Sequence, residues 1–333
     1  MKIFLHGLCA LAALASTSAL AQENFYKGKT FTVVIGYSPG GGYDSYGRLL
    51  ARHINKHIEG KPEVIVQNLP GAGSLNAVRQ LDATQPKDGT YLTAFNPALI
   101  LESLVDPNRI KVKFTDVAWI GSMAPEVRVC YAWHSTGIKN WDDLVARKET
   151  VFGSTAKGTA NYMNASTLRN VFGIKIRHVL GFPGSAEQKL ALERGELDAD
   201  CGSWSSLPVE WISDKKINPI VSFSPSRESS MPADIPYAGA FAKTEQQKEI
   251  LEIFAASSEV GRPFIMSKAV PEERLKIIRR AFDTTLKDDG LLADAKKLNL
   301  PIQPMTGEEA AKIITHVYAA KPESIAKVRE ITE

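Results

Sequence analysis

The sequence predicts an α/β protein of two domains with a ligand cleft between them. Three observations predict it. Strand-like and helix-like segments alternate through the first two-thirds of the chain with short Gly-rich connections, the pattern of largely parallel sheets. The first two strand-like runs each empty into a Gly-rich loop and then a helix start: Phe31-Thr-Val-Val-Ile35 into Gly36-Tyr-Ser-Pro-Gly-Gly-Gly42, and Glu63-Val-Ile-Val66 into Gln67-Asn-Leu-Pro-Gly-Ala-Gly73. The length, 333 residues, suits about two domains at roughly 100–200 residues each.

The chain opens with Lys2, an apolar stretch from Leu5 to Leu14, and small residues ending in Ala19-Leu-Ala21. That is the layout of a secretory signal peptide over residues 1–21, with a mature chain starting at Gln22 in the periplasm. The apolar stretch is shorter than the roughly 20 residues a spanning helix needs. A composition of 44% hydrophobic and 23% charged residues is ordinary for a globular protein. The net charge of +3, with basic residues scattered, excludes the charge pattern of a nucleic-acid binder. Two cysteines follow the signal segment, Cys130 and Cys201. Export permits a bridge, but the expectation is two buried thiols in separate strands.

Further strand-like runs are Tyr91 to Phe95, Val117 to Ile120, Val127 to Trp133, Val151 to Ser154, Ile174 to Leu180, Leu197 to Cys201 and Ile220 to Phe223. Helices are expected at Asp44, Ser74, Thr159 to Val171 and Ser185 to Arg194. From Glu245 onward the chain reads as helical. Pro271-Glu-Glu-Arg opens one helix, Thr306-Gly-Glu-Glu309 has the capping-box pattern, and a last helix follows Pro322. Gly121 to Pro125 and the Ser/Pro-rich stretch Pro225 to Pro236 suit two crossings between domains. The expected division is 22–122 for the first domain, 123–236 for an inserted second one, and 237–333 for the return.

The Gly-rich loops admit several readings. A Rossmann site needs G-x-G-x-x-G, which Tyr43 and Asp44 interrupt, and an acid after the second strand, where Gln67 and Asn68 stand. A phosphate-binding P-loop needs Lys-Ser/Thr after the glycines and finds none. Glycines also make turns with no further role. Four loops, however, lie between a strand end and a helix start: Ser38 to Asp44, Asn68 to Ser74, Ser154 to Thr159, and Gly181 to Ser185. In open α/β sheets the ligand crevice lies beyond the carboxyl ends of the strands. Helix N-termini there present free N–H donors and the positive dipole end, which favours a ligand with acidic groups.

Tyr37-Ser-Pro-Gly-Gly-Gly-Tyr-Asp44, Gln67 to Gly73, Pro86-Lys-Asp-Gly-Thr90 and Gly195-Glu-Leu-Asp198 resemble motifs of the tripartite tricarboxylate transporter receptors, the Bug-type extracytoplasmic binding proteins. The resemblance covers nearly the whole mature chain. It implies a two-domain periplasmic-binding-protein-like fold, no cofactor, and a small organic carboxylate held by loop amides, often through ordered water. It also implies membrane permease subunits of a tripartite transporter as partners. Carried over by position, the first-domain site is Tyr37, Ser38, Pro39, Gly40, Gly41, Gly42, Tyr43 and Asp44, with Pro70, Gly71, Ala72, Gly73 and Ser74. The second-domain site is Ser154, Thr155, Gly158, Thr159, Ala160 and Asn161, with Gly181, Phe182, Ser185 and Ala186. The chain departs from the family pattern at Leu180-Gly-Phe-Pro-Gly184, at Asn161-Tyr162 and at Tyr43, which leaves the ligand's identity open.

Catalytic signals are sparse. Gly202-Ser-Trp-Ser-Ser206 approaches a nucleophile elbow but lacks its second glycine. His53 and His57 have the i, i+4 spacing of a metal pair, yet lie on or beside the stripe Tyr46, Leu50, Ile54, Ile58, which suits structural histidines. Asp198 and Asp200 read as strand-end acids near the hinge rather than metal ligands. Trp133, Trp141 and Trp211 are expected in the core. Trp204 stands either in the core or as an aromatic wall of the cleft. The reading is a monomeric, non-enzymatic periplasmic receptor for a small carboxylate, with no metal and no nucleic-acid partner. A secreted α/β enzyme and a receptor serving a sensor kinase are the alternatives.

Overall fold

The computed structural model describes residues 25–225 and 227–332. The expected signal peptide lies outside them. The chain forms two α/β domains, each around one mixed sheet. The first sheet contains β1 (Thr30–Ile35), β2 (Glu63–Asn68), β3 (Tyr91–Ala94), β4 (Val117–Ser122), β10 (Pro263–Ser267) and β11 (Met305–Thr306), in the order β11-β4-β10-β3-β1-β2. The second contains β5 (Arg128–Trp133), β6 (Thr150–Ser154), β7 (Ile176–Leu180), β8 (Ala199–Ser203) and β9 (Ile217–Ser222), in the order β7-β6-β8-β5-β9.

Helices of eight or more residues are numbered α1 (Gly42–Ile54), α2 (Leu75–Ala83), α3 (Ala98–Val105), α4 (Ala160–Asn170), α5 (Ser185–Glu193), α6 (Glu245–Val260), α7 (Glu272–Thr285), α8 (Asp289–Lys297), α9 (Gly307–Tyr318) and α10 (Pro322–Thr332). Thr244 with Gln247, and Thr306 with Glu309, close complete capping boxes on α6 and α9.

Burial on both faces explains the near-continuous apolar runs of these strands. In β1, Phe31, Val33 and Ile35 pack with Tyr46, Leu49 and Ile54 of α1 and with Ile278 and Phe282 of α7. On the other face, Leu75 and Val78 of α2, Trp119, Ile265 and Ile314 form a second cluster. In β5, Cys130 and Ala132 enter one cluster while Val129, Tyr131 and Trp133 enter the opposite one, the period of two expected of a strand. Each large side chain so buried contributes about 1.5–3 kcal/mol.

Two expectations are corrected. The sheets are mixed, because β10 runs antiparallel to β3 and β4, and β5 antiparallel to β8 and β9. The C-terminal third is also not wholly helical: Pro263-Phe-Ile-Met-Ser267 inserts as β10 near the middle of the first sheet. A five-residue apolar run between two helices carries no periodicity that separates strand from buried helix.

The stretch Pro225 to Pro236 stays against the second domain, where Met231 and Ile235 join the cluster around Trp204 and Trp211. The chain returns along residues 258–262, beside residues 123–126. Met123 N–H donates to Arg262 O at 3.1 Å, Arg262 N–H to Ala124 O at 2.9 Å, and Glu126 N–H to Ser258 O at 2.8 Å. Gly261 makes this approach possible: its φ is +39°, and a Cβ there would lie 2.2 Å from Ala124 O.

Cys130 and Cys201 are bridged, which corrects the expectation of free thiols. The register of β5 against β8 sets them directly opposite each other, 71 residues apart in sequence, and spacing alone does not reveal that pairing. A loop of that length implies about 4 kcal/mol of stabilisation in the chain-entropy model. Alkylation should therefore label these cysteines only after unfolding with reductant, and replacing both by serine should lower the melting temperature by several degrees.

Candidate functional site

The four strand-to-helix loops converge. They precede α1, α2, α4 and α5, and none of these helices has a side-chain cap hydrogen bond at its N-terminus. α6, α8 and α9 are capped by Thr244, Asp288 and Thr306, while α3 and α7, each preceded by proline, also have no side-chain cap. The uncapped first turns leave N–H donors for another acceptor.

The loops meet across the domain boundary. Ser38 Oγ donates to Glu187 Oε2 at 2.8 Å. A Cβ on Gly41 would lie 2.7 Å from Ser185 Oγ, one on Gly73 2.2 Å from Thr159 Cγ2, and one on Gly184 2.4 Å from Ser38 Oγ. The arrangement is closed, with glycines where the domains touch.

Between the loops lies a cavity of about 50 Å³. The first domain lines it with Tyr37, Gly41, Gly42, Tyr43 and Asn96, and the second with Arg128, Thr155, Asn161, Ser185 and Gln188. Among these described residues Arg128 is the sole charged side chain, and there is no acid, histidine, lysine or cysteine. Tyr37 and Tyr43 stack with centroids 5.0 Å apart, and Asn96 Nδ2 donates to Tyr37 Oη at 2.9 Å. Burial raises both phenols, so they remain neutral.

Several expected residues surround the cavity without lining it. Asp44 is a structural acceptor. Burial raises its pKa, but hydrogen bonds from Arg48, Asn68 and Gly40 N–H outweigh that and hold it below the usual range. Ser74 Oγ accepts from Asn96 N–H at 2.9 Å and so positions a lining residue. Gly73 packs on Thr159, and Thr159 Oγ1 donates to Asn161 Oδ1 at 2.6 Å. Gly40 approaches Ala186, and Gly158, with φ of +76°, packs on Glu102. Phe182 packs against the Leu192–Leu197 cluster. Pro39, Pro70, Gly71, Ala72, Ser154, Ala160 and Gly181 are not among the lining residues.

Trp204 does not line this cavity. It is 2% exposed, clusters with Leu207, Trp211 and Met231, and donates from Nε1 to Ser230 Oγ at 2.9 Å. Its edge borders a different, open groove of about 950 Å³ between Ser205–Ser213 and Ala295–Met305. That groove is the larger, but none of the four converging helix starts lines it. Trp133 and Trp211 are buried, and Trp141 stacks on Phe241 at 3.9 Å. His53 and His57 pair with Asp294 and Asp288 at 3.0 and 3.2 Å. Among the described residues no group of three or more His, Cys, Asp or Glu side chains could hold a metal ion.

Sequence reasoning missed Asn96, Arg128 and Gln188, and the groups behind them. Asn96 carried a usable signal, since it too lies just past the carboxyl end of a strand, β3. Behind the cavity, Glu126 Oε1 lies 2.9 Å from Arg262 Nη1. Its Oε2 lies 3.3 Å from Arg128 Nε and accepts from Tyr43 Oη at 3.3 Å. Arg262 also donates to Ser203 and Ser206 and lies over the Tyr43 and Tyr46 rings. On the second-domain side, Asn161 Nδ2 donates to Gln188 Oε1 and Gln188 Nε2 to Asp200 Oδ1. Asp200 is 2% exposed.

Burial lifts Asp200 from 3.8 to about 6, against the opposing pull of Cys201 N–H, Arg128, Tyr131 and Lys189. An acid whose folded pKa exceeds its unfolded one favours the fold only while protonated. Its contribution is whole below about pH 4 and lost as pH rises through 6. Asp200→Asn should therefore match the parent's stability near pH 4 and exceed it at pH 7.5 by up to roughly 3 kcal/mol, measured by urea unfolding at both pH values. Gly41 has a φ of −91°, which valine tolerates, so Gly41→Val acts only across the cleft. It should enlarge the radius of gyration in solution scattering without lowering the melting temperature appreciably, while His53→Ala should leave the radius unchanged.

No family model matches the chain. It is 28% identical over 203 residues to a UPF0065 protein from the gbd 5′ region of Cupriavidus necator, a match covering 59% of this chain. The match spans about six-tenths of the length of that curated relative, 61%. Among solved structures, the periplasmic binding protein BugD superposes with a TM-score of 0.73 at 18% identity, covering 90% of this chain and 97% of that one. MatC of Rhodopseudomonas palustris, solved with bound malate, gives 0.72 at 17% identity over 92% and 99%. The chain thus has the fold of the Bug-type periplasmic binding proteins, the family its loop motifs resemble.

Proposed function

We propose that this protein is a periplasmic receptor that captures a small organic carboxylate and delivers it to the membrane permease subunits of a tripartite tricarboxylate-type transporter. One observation carries the reading: a small cavity between two domains, ringed by uncapped helix starts, with a single guanidinium and no acid in its lining. A carboxylate supplies the acceptors those donors lack, and hydrogen bonds to a charged acceptor are about twice as strong as neutral ones. The cavity lining lacks a nucleophile–base pair, so the site binds rather than transforms its ligand.

The malate bound to the structurally similar MatC supports the ligand class. Export supports the compartment: the segment Lys2 to Ala21 has the signal-peptide layout, and no described helix is long and apolar enough to cross a membrane. Ligand touching both domains would favour the closed form by its extra contacts there, and the permease would read that shape.

A thermal-shift panel of malate, lactate, adipate and benzoate, each with its methyl ester, tests the reading. At one hundred times its Kd a true ligand stabilises by about 2.7 kcal/mol, a shift on the order of 5 °C. At least one acid should produce such a shift and its ester should not. Equal shifts from acid and ester, or none from any acid, would refute the assignment.

A further inference from the structure

Resting on the carboxylate-receptor reading, we infer that Arg128 anchors the ligand through a direct guanidinium–carboxylate ion pair. We infer further that the ligand is a short acid bearing a second polar group close to that carboxylate. The loop amides supply orientation and Arg128 supplies the selection for charge.

The two arginines behind the cavity are differently committed. Arg262 is the more engaged, although its Nε too forms no hydrogen bond: Nη1 pairs with Glu126 at 2.9 Å, Nη2 donates to Ser203 at 2.7 Å and Ser206 at 3.0 Å, and its face covers two tyrosine rings. Arg128 is under-used. It is 7% exposed, yet its guanidinium makes one long hydrogen bond, Nη1 to Cys201 O at 3.4 Å. Its Nε, 3.3 Å from Glu126, forms no hydrogen bond. A guanidinium carries five N–H donors in a planar fork matched to a carboxylate. Burying one with most donors idle is costly unless an acceptor arrives, and Arg128 lines the cavity. Glu126 divides its two oxygens, Oε1 at 2.9 Å from Arg262 and Oε2 at a longer 3.3 Å from Arg128, so one carboxylate stands against two guanidinium groups.

The rest of the lining sets the size and polarity. The cavity, of about 50 Å³, is small, which favours a short acid. The side-chain amides and the threonine that share the lining with Arg128 are neutral and polar: Asn96, Thr155, Asn161 and Gln188. Such surroundings match a hydroxyl or carbonyl beside the carboxylate, as in lactate, pyruvate or malate, better than the all-methylene middle of adipate.

Calorimetric titration of the parent, Arg128→Gln and Arg128→Lys with malate, lactate, adipate and malate dimethyl ester tests this. The parent should prefer malate or lactate to adipate. Arg128→Gln should lose tenfold to a hundredfold in affinity for the acid, the range of a charge-assisted contact, and the acid-to-ester ratio should collapse. A structural role alone would not move that ratio. Arg128→Lys should bind at an intermediate level, because charge is kept and the fork is lost. If Arg128→Gln does not unfold cooperatively, the lysine variant carries the test, and parental affinity in it overturns the proposal. Parental affinity and an unchanged acid-to-ester ratio in Arg128→Gln overturn Arg128 as anchor while leaving the receptor reading standing. A preference for adipate overturns the short-acid class. Failure of the parent to bind any acid overturns both readings together.

Discussion

The carboxylate of Glu126 is the constraint on which the rest of this structure depends. It belongs to the linker between β4 and β5, is 2% exposed, and binds Arg262 of the returning linker, Arg128 of the second sheet and Tyr43 of the first Gly-rich loop. One buried anion thus joins both passages of the chain to both halves of the cavity. Desolvating such a charge is expensive, and a pair of this kind brings little net stability; leaving one partner unpaired typically costs about 3–5 kcal/mol. Its consequence is positional. Glu126 fixes where Arg262 and Tyr43 lie, and Tyr43 in turn stacks on Tyr37, so the cavity's first-domain wall is set from the linker.

The second-domain wall has an independent support. The Cys130–Cys201 bridge ties β5 to β8, and Arg128 and Asp200 flank it on those two strands. The Thr159–Asn161–Gln188–Asp200 chain of hydrogen bonds then runs from an uncapped helix start back to the same strand pair. Side chains that reach the cavity from this side are therefore held by the sheet rather than by loop conformation alone, which suits a site whose polar groups must be placed within a few tenths of an ångström.

The sequence made the ring legible and left its centre obscure. Strand–Gly–helix junctions announce themselves locally, so the loops at Ser38 to Asp44, Asn68 to Ser74, Ser154 to Thr159 and Gly181 to Ser185 were recognisable, as was the capping box at Thr306. Asn96 sits at such a strand end but lacks the glycines that draw attention to the others. Arg128 and Glu126 were invisible for another reason: a charged residue near a strand start usually faces solvent, whereas here Glu126 is buried against Arg262, over 130 positions away, and Arg128 beside Glu126. Trp204 shows the opposite case. Its position after β8 matched the other loops, but the following segment turns under Met231 and buries the indole. The bridge and β10 share one cause, since both depend on which strands become neighbours.

The Ser38–Glu187 hydrogen bond spans the two domains through protein atoms alone. Part of the closed shape is therefore available without any guest. A ligand shifts an equilibrium only by its differential affinity for the two shapes, and every contact the protein makes with itself across the mouth reduces the contrast between vacant and occupied molecules. In a receptor of the proposed kind, such a self-bridge would raise the background that a shape-reading partner must tolerate. It would also shorten the search for the bound geometry once a guest is inside, so fidelity of signalling and speed of capture would pull in opposite directions at this serine.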